Sequence, residues 1–248
     1  MNKQQQIEYR KKMVDEIDVY NDPVICGFTL TAKMECVVHV STSCLLNDYC
    51  NARMKCGENI CAECFAQAVL NHYSALNVNC EHNHLLLTDH ILDPIQWRQL
   101  EQVKPDQLVR FEAFGDLAND IQVANYFIAC YLFPHLKFAL WTKNPWLVKI
   151  AISKGYKKPS NLEIVYSPQK MNDNKDGLEA IKKYSFIDKV FTVYTSDYAL
   201  ENDVCINCGN KQCDKCKTCY LKQKNIVFIN EILKKDLNRY LQSGGEIK

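Results

Sequence analysis

Five cysteines lie within 21 residues in the first third of the chain. They are Cys44, Cys50, Cys56, Cys61 and Cys64. Thiolates select soft metals and iron–sulfur clusters, and a cluster needs several of them to converge from a loop that can bend around it. A β-branched apolar run at residues 36–40 precedes the loop, and apolar residues at i, i+3, i+4 spacing follow it. The sequence therefore predicts a strand, a metal-binding cysteine loop and a helix.

A second group of five cysteines lies in the last quarter of the chain. It comprises Cys205, Cys208, Cys213, Cys216 and Cys219. The last three have the Cys-x2-Cys-x2-Cys spacing of ferredoxin-type loops, so we expect an iron–sulfur cluster with Cys208 or Cys205 as the fourth ligand. Zinc held by four thiolates is the alternative, although zinc usually takes two Cys-x2-Cys pairs that a longer segment separates.

The overall composition restricts the compartment and the partners. The chain has 14 cysteines in 248 residues and begins with polar and charged residues instead of an apolar leader, so we expect reduced thiols in the cytoplasm. No apolar run approaches the ~20 residues that cross a bilayer. The 30 basic and 29 acidic residues leave a net charge of +1, which gives no bulk field to attract nucleic acid or lipid. We therefore expect a soluble protein without a membrane partner.

Strands and helices alternate along the second half of the chain. Strands are predicted at 108–116, 137–144, 161–169 and 188–197, with helices at 121–133, 145–155 and 178–186, and a last strand and helix within 225–241. Connections of helical length imply parallel pairing. With the strand at residues 36–40, about six such units predict an incomplete (β/α)6 TIM-like barrel. An open doubly wound sheet is the alternative.

The same alternation predicts three regions. Residues 1–203 form the partial barrel, 204–220 a small cysteine-rich metal knot, and 221–248 a strand and helix that pack back on the barrel. Within the first region, we expect a surface helix over residues 1–20, an edge strand or lead-in at 24–33, a helix over 65–76 and a polar turn at 79–84.

In either architecture, a site is expected at the carboxyl ends of the strands. Polar residues recur there, and among them are Gly115, Asp116 and Ser167. A glycine permits close approach of the backbone, and a carboxylate at a strand end can pair with an ammonium group. The alternative for Asp116 is that it caps the following helix. Strand ends are commonly polar because loops are wet, so this pattern alone names no reaction.

A cysteine loop after the first strand, a Gly-acidic turn after the second and an incomplete barrel resemble the radical S-adenosylmethionine superfamily. That resemblance implies three cysteines holding a 4Fe–4S cluster, to which S-adenosylmethionine binds. Gly115 and Asp116 stand where the superfamily has a Gly-Gly-Glu turn that takes the amino group of the cofactor. The spacing of Cys56, Cys61 and Cys64 departs from the superfamily pattern, which has three residues and then two between its cysteines.

A closer resemblance covers most of residues 36–233. The runs ICAECFA, RFEAFGDLAND, FALWTKN, NLEIVYS and NCGNKQCDKCKTCY resemble a phage and gut-bacterial family, the gene product 88 proteins. This resemblance implies a metal-bearing barrel in which Cys50, Cys61 and Cys64 are the N-terminal ligands.

Two classes of function fit these observations. The first is a radical S-adenosylmethionine-like enzyme in which Cys50, Cys61 and Cys64 hold the catalytic cluster and Asp116 and Ser167 help to hold the cofactor. Its C-terminal ligands Cys208, Cys213, Cys216 and Cys219 would hold a second 4Fe–4S cluster or zinc. The second class is a phage-type zinc protein without catalysis that engages a host protein or nucleic acid. The sequence does not name a substrate.

Overall fold

The computed structural model describes residues 5, 8, 12, 15–29, 33–55, 57, 59–209 and 212–248. The predicted helix over residues 1–20 lies largely outside the described residues, and so does the candidate ligand Cys56. Within the described part of the chain, no helix is both long and apolar enough to cross a membrane.

Seven strands form one sheet, and strands that are neighbours in the sheet are also neighbours in the sequence. They are β1 (Gly27–Phe28), β2 (Val37–Val40), β3 (Leu108–Phe111), β4 (Lys137–Thr142), β5 (Leu162–Tyr166), β6 (Lys189–Tyr194) and β7 (Val227–Ile232). β1 is an antiparallel edge strand on β2, and every pair from β2 to β7 is parallel. Among the described residues, β1 and β7 do not pair with each other, so the sheet is not closed.

Helices lie in every connection between the parallel strands. They are α1 (Asp48–Met54), α2 (Phe65–His72), α3 (Ser74–Asp89), α4 (Asp120–Leu132), α5 (Pro145–Ser153), α6 (Asn174–Lys183), α7 (Ser196–Glu201) and α8 (Cys213–Cys216), and α9 (Leu237–Gln242) follows β7. Short 3-10 helices span Ile60–Glu63, Pro94–Gln102 and Lys234–Asp236. The side chains of Asn47, Asn119 and Asp173 accept backbone hydrogen bonds at the starts of α1, α4 and α6, which fixes where these helices begin.

The long helices pack on one face of the sheet. The strand residues of the main core on this face are Val38, Val40, Val109, Phe111, Phe138, Leu140, Leu162 and Ile164. α4 and α5 add Phe127 and Val148 to this core. On the same face further along the sheet, Tyr166 packs against α6, and Tyr194 packs against α7 and α9. Burial of these apolar side chains is the main term that stabilises the sheet.

The predicted α/β class is confirmed, and the predicted strands of the second half are all present. Six parallel strands in sequence order match the number of units expected. A doubly wound sheet would reverse its strand order and cover both faces with helices. The consecutive order and the single helical face therefore favour the incomplete barrel.

The opposite face of the sheet is covered in part by residues 212–221, which belong to the C-terminal cysteine segment, residues 204–221. Val37, Leu108 and Ala139 project from β2, β3 and β4 toward Tyr220, with Cys213 and Cys219 packed around them. The segment thus shares its apolar contacts with the sheet.

A buried ion pair lies further along this opposite face. The Lys189 ammonium on β6 pairs with the Glu163 carboxylate on β5, and it also donates to the Leu221 carbonyl at 3.0 Å. Both side chains are almost fully buried. Because an unpaired charge in such a place is costly, the pair fixes the C-terminal cysteine segment against β5 and β6.

Two expectations for the first half of the chain are wrong. Residues 79–84 lie inside the long helix α3 instead of a turn, and the helix expected over 65–76 is broken at Tyr73, where α2 ends and α3 begins. The polar side chains of α3 are buried partners of the backbone: Asn83 binds both backbone groups of Ile25 at 2.8 Å, and His82 contacts the Pro23 carbonyl at 3.0 Å. These polar side chains therefore bind buried backbone groups, and they do not indicate a solvent-exposed turn.

We predict that Lys189→Met lowers the free energy of unfolding by about 3–5 kcal/mol, because it leaves the Glu163 carboxylate buried without its partner. The double variant Lys189→Met/Glu163→Met should recover most of this loss. Urea denaturation at constant m value measures both. The matched control is Lys235→Met, which breaks an ion pair with Glu63 that is about half exposed and should cost under ~1 kcal/mol. Equal losses in Lys189→Met and the control would contradict the prediction.

Candidate functional site

The N-terminal cysteine loop, residues 44–64, is held over the carboxyl ends of the parallel strands. The Asn47 amide donates to the Asp116 carbonyl, beyond β3, at 2.8 Å. The N–H group of Ile60 donates to the Gln169 carbonyl, beyond β5, at 2.8 Å. The two contacts fasten the loop across β3, β4 and β5, which is where the sequence placed a site.

Side chains of α1 make a second connection to the same strand ends. The Tyr49 hydroxyl donates to the Lys143 carbonyl at 3.0 Å and accepts a hydrogen bond from the Gln169 amide at 2.5 Å. The Arg53 guanidinium donates to the side-chain oxygen of Gln169 and lies over the Tyr49 ring, 4.9 Å from its centroid. These bonds orient α1, and with it Cys50.

The thiols of the loop gather beneath it. Cys44, Cys50 and Cys64 share one buried cluster with Cys80 from α3, and Cys61 is buried beside them. The Cys44 thiol donates a hydrogen bond to the Cys64 sulfur, which lowers the pKa of Cys64 to about 6 and raises that of Cys44. The N–H groups at the start of α2 add to the lowering, so Cys64 is the natural thiolate of the group.

Burial and charge act on the other two thiols. Burial raises the pKa values of Cys50 and Cys61, and the nearby Asp116 carboxylate raises both further. The Lys143 ammonium opposes this and lowers the pKa of each thiol. In the described part of the chain this ammonium forms no hydrogen bond and no ion pair. The structure therefore brings Cys50, Cys61 and Cys64 together within reach of the Lys143 charge.

A single metal ion does not have a ready site in this arrangement. Among the described residues, no three His, Cys, Asp or Glu side chains are placed so that they could hold one ion. Cys56, the remaining cysteine of the loop, is outside those residues.

Asp116 is buried and uses its carboxylate to join strand ends. It accepts hydrogen bonds from the Thr142 hydroxyl at 2.6 Å, the Lys143 N–H at 2.9 Å and the Leu117 N–H at 2.8 Å. Burial raises the pKa of Asp116, and these donors together with the Lys143 charge pull it back. Asp116 does not cap α4, because that role belongs to Asn119.

Glu112 is a buried carboxylate that sequence reasoning missed. It follows β3 directly with a backbone φ of 60°, a left-handed conformation that is uncommon outside glycine. Its carboxylate accepts from the Thr42 hydroxyl at 3.0 Å, from the Gln122 amide at 2.6 Å and from the Tyr126 hydroxyl. Glu112 thus ties the segment after β2 to α4. An acidic residue in an alternating strand pattern looks solvent-facing, so the sequence held no signal for it.

Gly115 is required by this network. A Cβ atom at Gly115 would lie 2.6 Å from both the carbonyl oxygen and the hydroxyl oxygen of Thr42, and closer still to the Glu112 carboxylate. The close approach that the sequence predicted at Gly115 is therefore made by Thr42 and Glu112.

Ser167 lies at the carboxyl end of β5 with its N–H donating to the Thr142 carbonyl at 2.9 Å. Its hydroxyl forms no hydrogen bond among the described residues, which leaves it free to bind another group. Of the three predicted cofactor contacts, Ser167 is thus the one with an uncommitted side chain.

A cavity of about 200 Å³ lies next to the buried thiol of Cys80. His39 and Asn79 line it from β2 and α3. The Ser41 hydroxyl oxygen accepts from the Ala113 N–H at 2.9 Å and lies 3.2 Å from His39 Nδ1. Burial lowers the pKa of His39 to about 4, so the ring is neutral at pH 7.

The C-terminal cysteines lie on the other face of the sheet. Cys208, Cys213, Cys216 and Cys219 line one cavity there. Cys205 does not line it, and its thiol is exposed. Cys36, expected to behave as a small apolar side chain, packs in the same cluster as Cys213 and Cys219.

The comparisons with known proteins identify the family. A family model described as Gene product 88 matches residues 2–235. The chain belongs to the gene product 88 family. The resemblance expected from the sequence runs is thereby confirmed, whereas no curated protein and no solved structure matches the chain. The comparisons show no link between this gene product 88 protein and the radical S-adenosylmethionine superfamily.

We predict that the contribution of Glu112 to the stability of the metal-free protein falls as pH rises from about 4.5 to 7. Burial raises the pKa of Glu112 from 4.5 to about 7, so this carboxyl binds more protons in the folded state than in the unfolded state in that interval. Its contribution to the free energy of unfolding then decreases with pH, by on the order of 3 kcal/mol, while the lowered pKa of His39 acts in the opposite direction. In urea denaturation across this range, the stability of Glu112→Gln relative to the wild type should therefore rise with pH. If the stability of Glu112→Gln depends on pH in the same way as that of the wild type, Glu112 makes no such contribution.

Proposed function

We propose that this gene product 88 protein is an iron–sulfur protein of the radical S-adenosylmethionine type, with Cys50, Cys61 and Cys64 as the ligands of its N-terminal 4Fe–4S cluster. The observation that carries the proposal is the gathering of these thiols over the carboxyl ends of parallel strands, next to the Lys143 ammonium. Thiolates are the usual ligands of such clusters.

The donor set fits a cluster better than a single ion. The thiols of Cys44, Cys50, Cys61 and Cys64 are buried or partly buried, and among the described residues no three side chains are placed to hold one ion. Cys64 is already disposed to be a thiolate, and the Lys143 ammonium lowers the cost of ionising Cys50 and Cys61. A cluster gains from both features, since every ligand must be ionised before it binds iron.

Residues around the loop supply position and exclusion of water. Tyr49 and Arg53 hold α1 against the strand ends, and Asp116 fixes the ends of β3 and β4 relative to each other. The free hydroxyl of Ser167 and the charge of Lys143 are the groups that remain to bind a cofactor, the ammonium being suited to a carboxylate. When bound, the cluster and S-adenosylmethionine together supply a carbon radical by reductive cleavage.

The cavity beside Cys80 is the space that we assign to a substrate. Cys80 lines it and packs in one cluster with Cys44 and Cys64. Its polar groups include the neutral imidazole of His39, whose ring offers one donor and one acceptor nitrogen to a polar ligand.

We expect Cys64→Ala to lower the iron content of anaerobically reconstituted protein by about four atoms per chain and to remove the matching absorption. Cys61→Ala should do the same. The control is Cys26→Ala, whose thiol packs against the main core away from the loop and should leave the iron content unchanged. For the third ligand, Cys50→Ala should lose the iron, while Cys44→Ala and Cys56→Ala should keep it. Full iron content in Cys64→Ala, or zinc in place of iron, would refute the assignment.

We expect Ser167→Ala to weaken S-adenosylmethionine binding about five- to tenfold, the effect of losing roughly 1 kcal/mol. Its thermal stability should stay close to that of the wild type, because the hydroxyl has no protein partner among the described residues. Calorimetric titration of the reconstituted protein measures the affinity. Asp116→Asn is the comparison variant. We expect it to lower thermal stability, because it disturbs the hydrogen bonds that the buried carboxylate accepts. Unchanged affinity in Ser167→Ala would exclude this hydroxyl from the site.

A further inference from the structure

The four C-terminal thiols surround a cavity of about 240 Å³. Cys208, Cys213, Cys216 and Cys219 all line it, and they come from three separate short segments of backbone. A water molecule occupies about 30 Å³ of liquid, so the cavity is far larger than one metal ion needs. Cysteines that serve packing alone fill apolar space, whereas these four leave a cavity between them.

Backbone hydrogen bonds hold the four cysteines in place. The Cys208 N–H donates to the Asn230 carbonyl of β7 at 3.1 Å, and the Cys213 N–H donates to the Lys33 carbonyl, just before β2, at 2.9 Å. α8 places Cys213 and Cys216 one turn apart. These hydrogen bonds therefore anchor the thiols to β7 at one end of the sheet and to the residues before β2 at the other.

A left-handed residue brings the last cysteine back to the cavity. Lys217 ends α8 with a φ of 53°, and its N–H donates to the Cys213 carbonyl at 2.8 Å. A lysine in this conformation is strained, which the surrounding structure must offset. The reversal allows Cys219 to face the same cavity as Cys216.

Positive charge lies against the thiols. The Lys33 ammonium donates to the Cys208 sulfur at 2.9 Å and pairs with the Glu231 carboxylate at 2.6 Å. Lys217 and Lys248 also line the cavity. Cations next to a group of thiolates offset their mutual repulsion. Cys205 lacks this setting, because it is exposed and its carbonyl accepts from the Asn230 amide outside the cavity.

We propose that Cys208, Cys213, Cys216 and Cys219 hold a second iron–sulfur cluster, with Lys33 donating a hydrogen bond to the ligating sulfur of Cys208. Four thiols around a wide cavity fit a multi-atom cluster, whereas a single zinc ion needs its four thiolates drawn close together. No such single-ion group exists among the described residues. The Lys33 hydrogen bond withdraws charge from the cluster and raises its reduction potential.

The test uses the full chain with the N-terminal ligands removed. The Cys61→Ala/Cys64→Ala variant is reconstituted anaerobically with ferrous iron and sulfide, and then iron, sulfide and zinc are measured. We expect about four irons and four sulfides per chain, with brown absorption and the electron paramagnetic resonance of a reduced cluster. This result does not depend on the N-terminal proposal. Absence of iron, or one zinc that excludes iron, would overturn the inference.

Single substitutions in the same variant identify the ligands. Cys216→Ser changes an exposed thiol at the mouth of the cavity, so it should fold and still lose the iron. The matched control, Cys205→Ser, changes another exposed thiol of the same segment and should keep all the iron. Circular dichroism checks that both are folded. Equal iron content in the two variants would contradict the ligand set.

Lys33→Gln tests the hydrogen bond separately. We expect it to retain the cluster and to shift the midpoint potential to a more negative value. Lys215→Gln is the matched control, because Lys215 is an exposed lysine between two of the ligands that does not line the cavity. A merely structural role of Lys33 would change melting temperature without moving the potential. Identical potentials in both variants would refute the role of Lys33.

Discussion

The arrangement of the strand ends depends on keeping two buried carboxylates satisfied. Glu112 and Asp116 both lie just beyond β3, where burial opposes their charge. Each is surrounded by donors from neighbouring elements: Thr42 and α4 for Glu112, and the end of β4 for Asp116. An unsatisfied carboxylate in this place would cost several kcal/mol, so these donors cannot move independently. The need to satisfy both carboxylates therefore sets the geometry of the strand ends on which the N-terminal cysteine loop lies.

The two cysteine groups lie at different places on the same sheet. The N-terminal group lies over the carboxyl ends of the strands, where connections vary most easily without disturbing the core. The C-terminal group lies across the face that the helices leave uncovered, and it contacts both β7 and the residues that precede β2. Lys33 and Glu231 meet there although 198 positions separate them in the sequence. The C-terminal cysteine segment thus joins β7 to the residues that precede β2.

The sequence predicted the strands and their parallel pairing, because helical connections between apolar runs leave few alternatives, but it left the strand order open between a barrel and a doubly wound sheet. It also located the cysteine loop, since strand and loop are encoded by adjacent residues. It could not predict α3 at residues 79–84, where Asn83 and His82 are polar for the sake of buried backbone partners. Nor could it pair Lys33 with Cys208, because that contact exists only after the sheet has brought distant segments together. Local sequence patterns predict local structure, whereas polar partners that are distant in the sequence can be paired only once the fold is known.

The N-terminal cysteine loop is covered in part by residues near the other end of the chain. The Lys235 ammonium pairs with Glu63 at 2.6 Å, and the Lys234 ammonium lies 4.9 Å from the centroid of the Phe65 ring. Glu63 and Lys235 are 172 positions apart. At a synthesis rate of about 5–20 residues per second, the ribosome makes the cover roughly ten to thirty seconds after the thiols. Throughout that interval neither lysine can contact Glu63 or Phe65, so this side of the loop lacks its C-terminal cover.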